Sequence, residues 1–283
     1  MFYLKQISES VLKEVIKKRP FVSHKGDYGR ILIIGGNENM GGAAIMSASA
    51  AVYSGAGLVT CASAPENRSA LHARLPEAMF LDYHDFSQIV TVIKSADVIV
   101  VGPGLGLSQH TNKLLALIFT HIRQQTTLIF DGSAITALAQ EPKLLKTTPN
   151  CPIIYTPHQA EWQRLSGIEI AAQTPQVNQS IQQKLGATVV LKKHHTEIYH
   201  ADNSSSKITI GGPYMATGGM GDTLTGIIAA FIGQFKASSA ADVLDAAVYL
   251  HSLIPTKLSH EKYVVLPSDI ISSLPQVMHN YLV

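Results

Sequence analysis

Val98-Ile99-Val100-Val101-Gly102-Pro103-Gly104-Leu105-Gly106 sets four consecutive apolar residues directly before a turn that carries three glycines. A strand with one wet face alternates apolar and polar residues, so an unbroken apolar run marks a strand buried on both faces, as in a parallel sheet covered by helices. The same signature recurs at residues 31–34, 58–61, 128–130, 153–155 and 189–191. Helical spacing fills the gaps at 42–54, 66–75, 85–95, 108–122, 157–166 and 174–185. This β-α alternation predicts an α/β fold: a doubly wound, largely parallel central sheet with helices on both faces. Beyond residue 192 the style changes to a hairpin of 196–200 and 207–210 joined through 201–206, then helices near 222–233, 239–254 and 268–281. Ahead of the first strand, Val11, Leu12, Val15 and Ile16 predict a docking helix over 8–18, closed by Pro20. Residues 1–283 read as one domain in which 1–22 form an N-terminal helical extension.

Composition narrows the function. The 283 residues are 46% hydrophobic and 15% charged with a formal net charge of +2, which is a compact globular chain without the basic stripe of a nucleic-acid binder. Cys61 and Cys151 are far apart and lack a companion zinc-type histidine cluster, so neither a disulfide framework nor a structural metal is expected, and both read as buried thiols. No apolar run approaches a membrane span and the first residues lack a secretory core, which predicts a cytoplasmic protein acting on small molecules.

In an open parallel sheet, ligands settle beyond the C-terminal strand edges. Four polar or glycine-rich turns follow predicted strands: Gly35-Gly36-Asn37, Gly102 to Gly106, Asp131-Gly132-Ser133 and Thr156-Pro157-His158. A fifth feature is Met215-Ala216-Thr217-Gly218-Gly219-Met220-Gly221-Asp222-Thr223-Leu224-Thr225-Gly226, where glycines lead to an acid at a helix start. Free amides and the helix dipole suit phosphate there, while a carboxylate at an anion site suits chemistry. The plain alternative is a flexible loop whose Asp222 caps the helix. No Gly-x-x-x-x-Gly-Lys-Ser/Thr is present and Gly102-x-Gly104-x-Gly106 has the wrong third spacing for a dinucleotide turn, which excludes a P-loop and disfavours a Rossmann dehydrogenase. His158 alone reads equally as a backbone partner, Lys25 as a solvated residue, and Lys192-Lys193-His194-His195 as a cationic patch or a hairpin edge.

Together, His24-Lys25-Gly26-x-Tyr28-Gly29, Met40-Gly41-Gly42-Ala43-Ala44, Gly55-Ala56-Gly57-Leu58-Val59-Thr60, Pro76-Glu77, Gly102 to Gly106, Thr156-Pro157-His158 and Gly218-Gly219-Met220-Gly221-Asp222 resemble the ADP/ATP-dependent NAD(P)H-hydrate dehydratases. The resemblance implies a ribokinase-like fold and repair of the S epimer of hydrated NADH or NADPH (NADHX, NADPHX). A nucleotide phosphorylates the ring hydroxyl, and the phosphate then leaves. It further implies Asp222 as general base, and Ala44, Gly104, Gly106, His158 and Asp222 as contacts of the hydrated dinucleotide. Lys192, Lys193, His194, His195, Thr196, Gly219, Met220 and Gly221 would serve the nucleotide and its phosphates. Mg²⁺ would be held through phosphate oxygens without dedicated protein ligands, ADP or ATP would be the donor, and the assembly would be a homotetramer working beside a separate epimerase.

Four residues depart from the family pattern. Ser133 replaces the second acid after the fourth predicted strand, Ala160 and Lys193 replace glycines, and Tyr214 stands where little side chain is expected. Two rivals remain at this point: a ribokinase-like kinase of a vitamin-precursor alcohol, and a nucleotide-binding sensor without turnover.

Overall fold

The computed structural model describes residues 3–282. In chain order the strands and helices are β1 (Lys5–Gln6), α1 (Ser10–Val15), β2 (Arg30–Ile34), α2 (Gly41–Tyr53), β3 (Leu58–Ser63), α3 (Arg68–Arg74), β4 (Met79–Asp82), α4 (Phe86–Ile93), β5 (Val98–Val101), α5 (Gln109–His121), β6 (Thr127–Phe130), α6 (Gly132–Gln140) and α7 (Pro142–Leu145). They continue with β7 (Ile153–Tyr155), α8 (Gln159–Ser166), α9 (Pro175–Leu185), β8 (Thr188–Leu191), β9 (Glu197–Tyr199), β10 (Ser205–Lys207), α10 (Met220–Gln234), α11 (Ala240–Leu258) and α12 (Pro267–His279).

One sheet runs β1-β10-β9-β8-β7-β6-β5-β2-β3-β4. All pairings from β4 through β8 are parallel; β8–β9 and β9–β10 are antiparallel, and β1 adds a parallel edge to β10. Each buried strand divides its side chains between two cores. Ile31, Ile33, Val98, Val100 and Ile129 join residues of α1, α2, α10, α11 and α12 on one face. Leu32, Ile34, Ile99, Val101, Leu128 and Phe130 join residues of α4, α5, α6 and α8 on the other. This division is why the runs are apolar at every position. Because β2 lies between β3 and β5, the winding reverses there, and the β2/β5 gap is the switch point where a crevice must open.

Several expected elements shift. The N-terminal helix spans Ser10–Val15 instead of 8–18: Ile16 is already extended at ψ 116°, yet still buried. The second hairpin strand is 205–207 instead of 207–210, because its buried side chains are the polar Ser205 and Ser206, which carry no hydropathy signal. The short edge strands β1 and β4 and the helices α6 and α7 were not anticipated, and Cys151 is only partly buried whereas Cys61 is fully so. Among the described residues no helix is long and apolar enough to cross a membrane.

Candidate active site

The turns after β2 and β5 are tied across the switch point. Gly36 N–H donates to the Pro103 carbonyl and Asn37 N–H to that of Gly104, both at 2.8 Å. A Cβ on Gly35 would run into the Pro103 carbonyl oxygen, so the approach itself demands glycine. Gly104 sits at φ +60° against the Met40 carbonyl at the start of α2. Gly106 N–H donates to Ser133 Oγ at 2.9 Å, which anchors the turn to α6. Ala44 is wholly buried beneath Gly36, so it supports the turn from below instead of presenting a side chain to the crevice.

The anion loop leads into α10, which packs against α2 on the same face of the sheet. Gly219 takes φ +94° as the residue before α10, and the first bond into the helix is Thr223 N–H to the Gly219 carbonyl at 3.0 Å. The amides of Met220, Gly221 and Asp222 therefore have no intrahelical acceptor and remain available to an anion. Gly219 abuts Met46 of α2, while Gly221 abuts the Lys192 ammonium. Asp222 makes no side-chain cap, so the capping alternative fails. Burial, followed by the charge of Asp131, pushes its carboxyl up to about 6; Lys192 pulls the other way. A carboxylate so placed is a stronger base than an ordinary aspartate.

Behind the loop lies a buried polar group that the motif reading named only in part. Asp131, at the end of β6, accepts from Thr156 Oγ1 at 2.7 Å and from Lys192 Nζ at 2.6 Å. His158 caps α8: its Nδ1 accepts from the amides of Ala160 (3.1 Å) and Glu161 (3.3 Å), and buried Glu161 returns the bond by accepting from His158 N–H at 2.8 Å. With Nδ1 accepting, the proton is assigned to Nε2, on a ring that is half exposed. His158 is thus a backbone partner, and its Nε2 lies 3.4 Å from Glu161 Oε1. Lys192 is joined in register to His158, and Asp131, Glu161 and Asp222 all act on its charge.

On the hairpin side a cavity of about 480 Å³ opens, lined by Lys192 to Thr196, Gly211, Met220, Gly221 and His251 among others. The structure thus brings the predicted nucleotide residues Lys192, Lys193, His194, His195, Thr196, Met220 and Gly221 to one wall, with Gly219 at its edge. His194 and His195 stack at 4.0 Å, and His195 holds φ +59°. His251, from α11, was not foreseen. Burial holds its imidazole down to about 4, so it is neutral, and its Nε2 has no partner among the described residues. A histidine inside an apolar helix gives no sequence signal of this kind. The His24 to Gly29 motif, by contrast, precedes β2 and lies at the other sheet edge, away from the cavity.

Comparison with known proteins matches residues 31–276 to the sequence model of the NAD(P)H-hydrate dehydratase family. The chain belongs to this family. A Lactiplantibacillus plantarum relative, an ADP-dependent (S)-NAD(P)H-hydrate dehydratase, is 49% identical over 280 residues, 98% of both chains. A ribokinase-like superfamily protein of Enterococcus faecalis V583 superposes with a TM-score of 0.94 at 44% identity, covering 100% of this chain and 98% of that one. The fold is also that of the Bacillus subtilis ADP/ATP-dependent NAD(P)H-hydrate dehydratase co-crystallised with ATP/Mg²⁺, with TM-score 0.87, 23% identity and coverage of 99% and 100%. The enzyme is therefore a carbon–oxygen lyase of nicotinamide nucleotide repair with a ribokinase-like fold.

In this dehydratase the departing residues are accommodated locally. Ser133 accepts from the Gly106 amide, and Lys193 turns back to pair with buried Glu197 at 2.8 Å, an acid that Tyr199 also bonds at 2.6 Å. Tyr214 does not line the cavity, and its hydroxyl donates to Thr256 Oγ1 of α11 at 2.9 Å. Ala160 only supplies its amide to His158.

Proposed function

We propose that this centre dehydrates the S epimer of hydrated NADH or NADPH with ADP as the phosphoryl donor, ATP being the alternative. The observation that carries the reading is Asp222: an uncapped, partly buried carboxylate at the head of an anion loop, beside a nucleotide-sized cavity. Asp222 takes the hydroxyl proton of the hydrated ring as the hydroxyl oxygen bonds to the terminal phosphorus, and the bond to the AMP oxygen breaks with its electron pair on that oxygen. The amides of Gly219, Met220 and Gly221 hold the phosphoryl oxygens in flight. Phosphate then leaves with the ring nitrogen supplying the electrons, and loss of a proton from the adjacent carbon restores the reduced nicotinamide.

Gly104 and Gly106 bind the dinucleotide at the β2/β5 crevice and His158 binds it from the turn after β7, with Ala44 acting through the turn it supports. Lys192 to Thr196 bind the nucleotide. Among the described residues no three His, Cys, Asp or Glu side chains converge as a metal cage; in the reading proposed, Mg²⁺ would be held mainly by phosphate oxygens and water. Bound there, Mg²⁺ would neutralise phosphate charge. We further infer a cytoplasmic homo-oligomer, of tetramer type, supplied with the S epimer by a separate epimerase.

Purified protein with Mg²⁺ and ADP or ATP should recover reduced-nicotinamide absorbance from hydrated NADH with stoichiometric phosphate. No recovery with either nucleotide would overturn the assignment, and accumulation of a stable phosphorylated alcohol would favour a kinase.

A further inference from the structure

Lys192 stands at the end of β8, fixed by its N–H to the Pro157 carbonyl at 2.8 Å, and its ammonium bonds Asp131 Oδ1 at 2.6 Å. Only about a fifth of the side chain is exposed, and Asp131 is almost fully buried. Such a pair contributes little net stability, because desolvation of both charges offsets their attraction. Its position is more telling. A side chain on Gly221 would come within 3.0 Å of Nζ, so the ammonium lies directly against the anion loop. Lys192 and Gly221 both line the nucleotide cavity, and the charges of Asp131, Glu161 and Asp222 act on Lys192. The cation therefore faces the cavity that would take the donor while lying against the loop that carries the base. An ammonium has three donors, and among the described residues Asp131 is its one side-chain partner.

We propose that Lys192 is a catalytic residue of phosphoryl transfer: its ammonium moves from Asp131 onto the phosphoryl group in flight, and Asp131 is the positioning residue that holds it between turnovers. This rests on the phosphoryl-transfer reading above. Lys192 gives up no proton. The hydroxyl oxygen gains its bond to phosphorus, Asp222 receives the proton and the AMP oxygen keeps the electron pair, while Lys192 supplies positive charge where equatorial oxygens become most negative. A role confined to holding the nucleotide would act equally on bound donor and transition state.

The test is steady-state turnover with ADP together with calorimetric binding of AMP, for wild type, Lys192→Met, Lys192→Arg and Asp131→Asn. Lys192→Met should lower kcat by about 100-fold, the scale of one lost transition-state donor, with AMP affinity of the same order as wild type. Lys192→Arg keeps the charge in a different shape and should recover part of that loss; it carries the same test if Lys192→Met does not fold. Asp131→Asn should bind AMP with an affinity of the same order as wild type, since AMP lacks the group that the ammonium serves, while turning over more slowly because the ammonium is no longer held in place. A Lys192→Met or Lys192→Arg effect confined to nucleotide KM, with kcat near normal, overturns the proposal, as does normal turnover in Asp131→Asn. A wild-type enzyme without phosphoryl transfer would instead remove the reading beneath it.

Discussion

Asp222 carries a cost to the fold as well as a task. Its folded pKa, about 6, lies above the ordinary value of 3.8, so the ionised form is disfavoured by folding. The penalty is fully present above about 6 and shrinks as pH falls from there towards the usual carboxylate range. Asp222→Asn should therefore melt at a higher temperature than wild type at pH 8, with the advantage fading below pH 6 in thermal scans. The same substitution should remove turnover by at least about 100-fold while AMP still binds, as expected for loss of a general base. In the wild type, kcat/KM should fall as pH drops through about 6 instead of about 4; an acid limb at ordinary carboxylate pH would show that burial does not hold the base up in the free enzyme.

The paired turns act as a unit. Gly104→Ala would bring a Cβ against the Met40 carbonyl at a left-handed φ, which pushes the start of α2 from the crevice. Hydrated-dinucleotide KM should rise sharply with AMP affinity unchanged, because the nucleotide wall belongs to other elements; equal loss of both would indicate general unfolding. Ser133→Ala removes the acceptor of Gly106 N–H and should cost about 1 kcal/mol in denaturant titration, whereas Ser133→Asp should be close to neutral. These turns were legible in sequence because a glycine directly after a buried apolar run marks a close backbone approach at the sheet edge. Asp131, Glu161 and His251 were less so. Asp131 was visible as a strand-exit acid, but its bond to Lys192 joins residues 61 apart. Glu161 looks like an ordinary first-turn helix acid, and His251 acquires its burial only when α11 packs against α10. The polar strand β10 was displaced for a related reason: tertiary partners, not local hydropathy, bury its serines.

Across the whole molecule, the parallel sheet and two cores followed from the alternation of strands and helices, while the hairpin end depends on a polar staple. His200 Nε2 meets Asp245 Oδ1 at 3.0 Å, and Ser206 Oγ donates to the same oxygen at 2.7 Å, tying β9 and β10 to α11 in a buried site. Asp245→Ala leaves His200 and Ser206 without that acceptor and should cost about 3 kcal/mol, measurable by chemical denaturation, with a rise in nucleotide KM as the Lys192 to Thr196 wall loosens. The anion loop, finally, has Met46 on one flank and Lys192 on the other. It is a party wall between two rooms: the donor's cavity lies on its Lys192 side and, in the reading proposed, the hydrated dinucleotide is received on the other. A phosphoryl group handed straight through the wall needs both tenants at home at once. Initial-rate plots at varied concentrations of both should therefore intersect instead of running parallel.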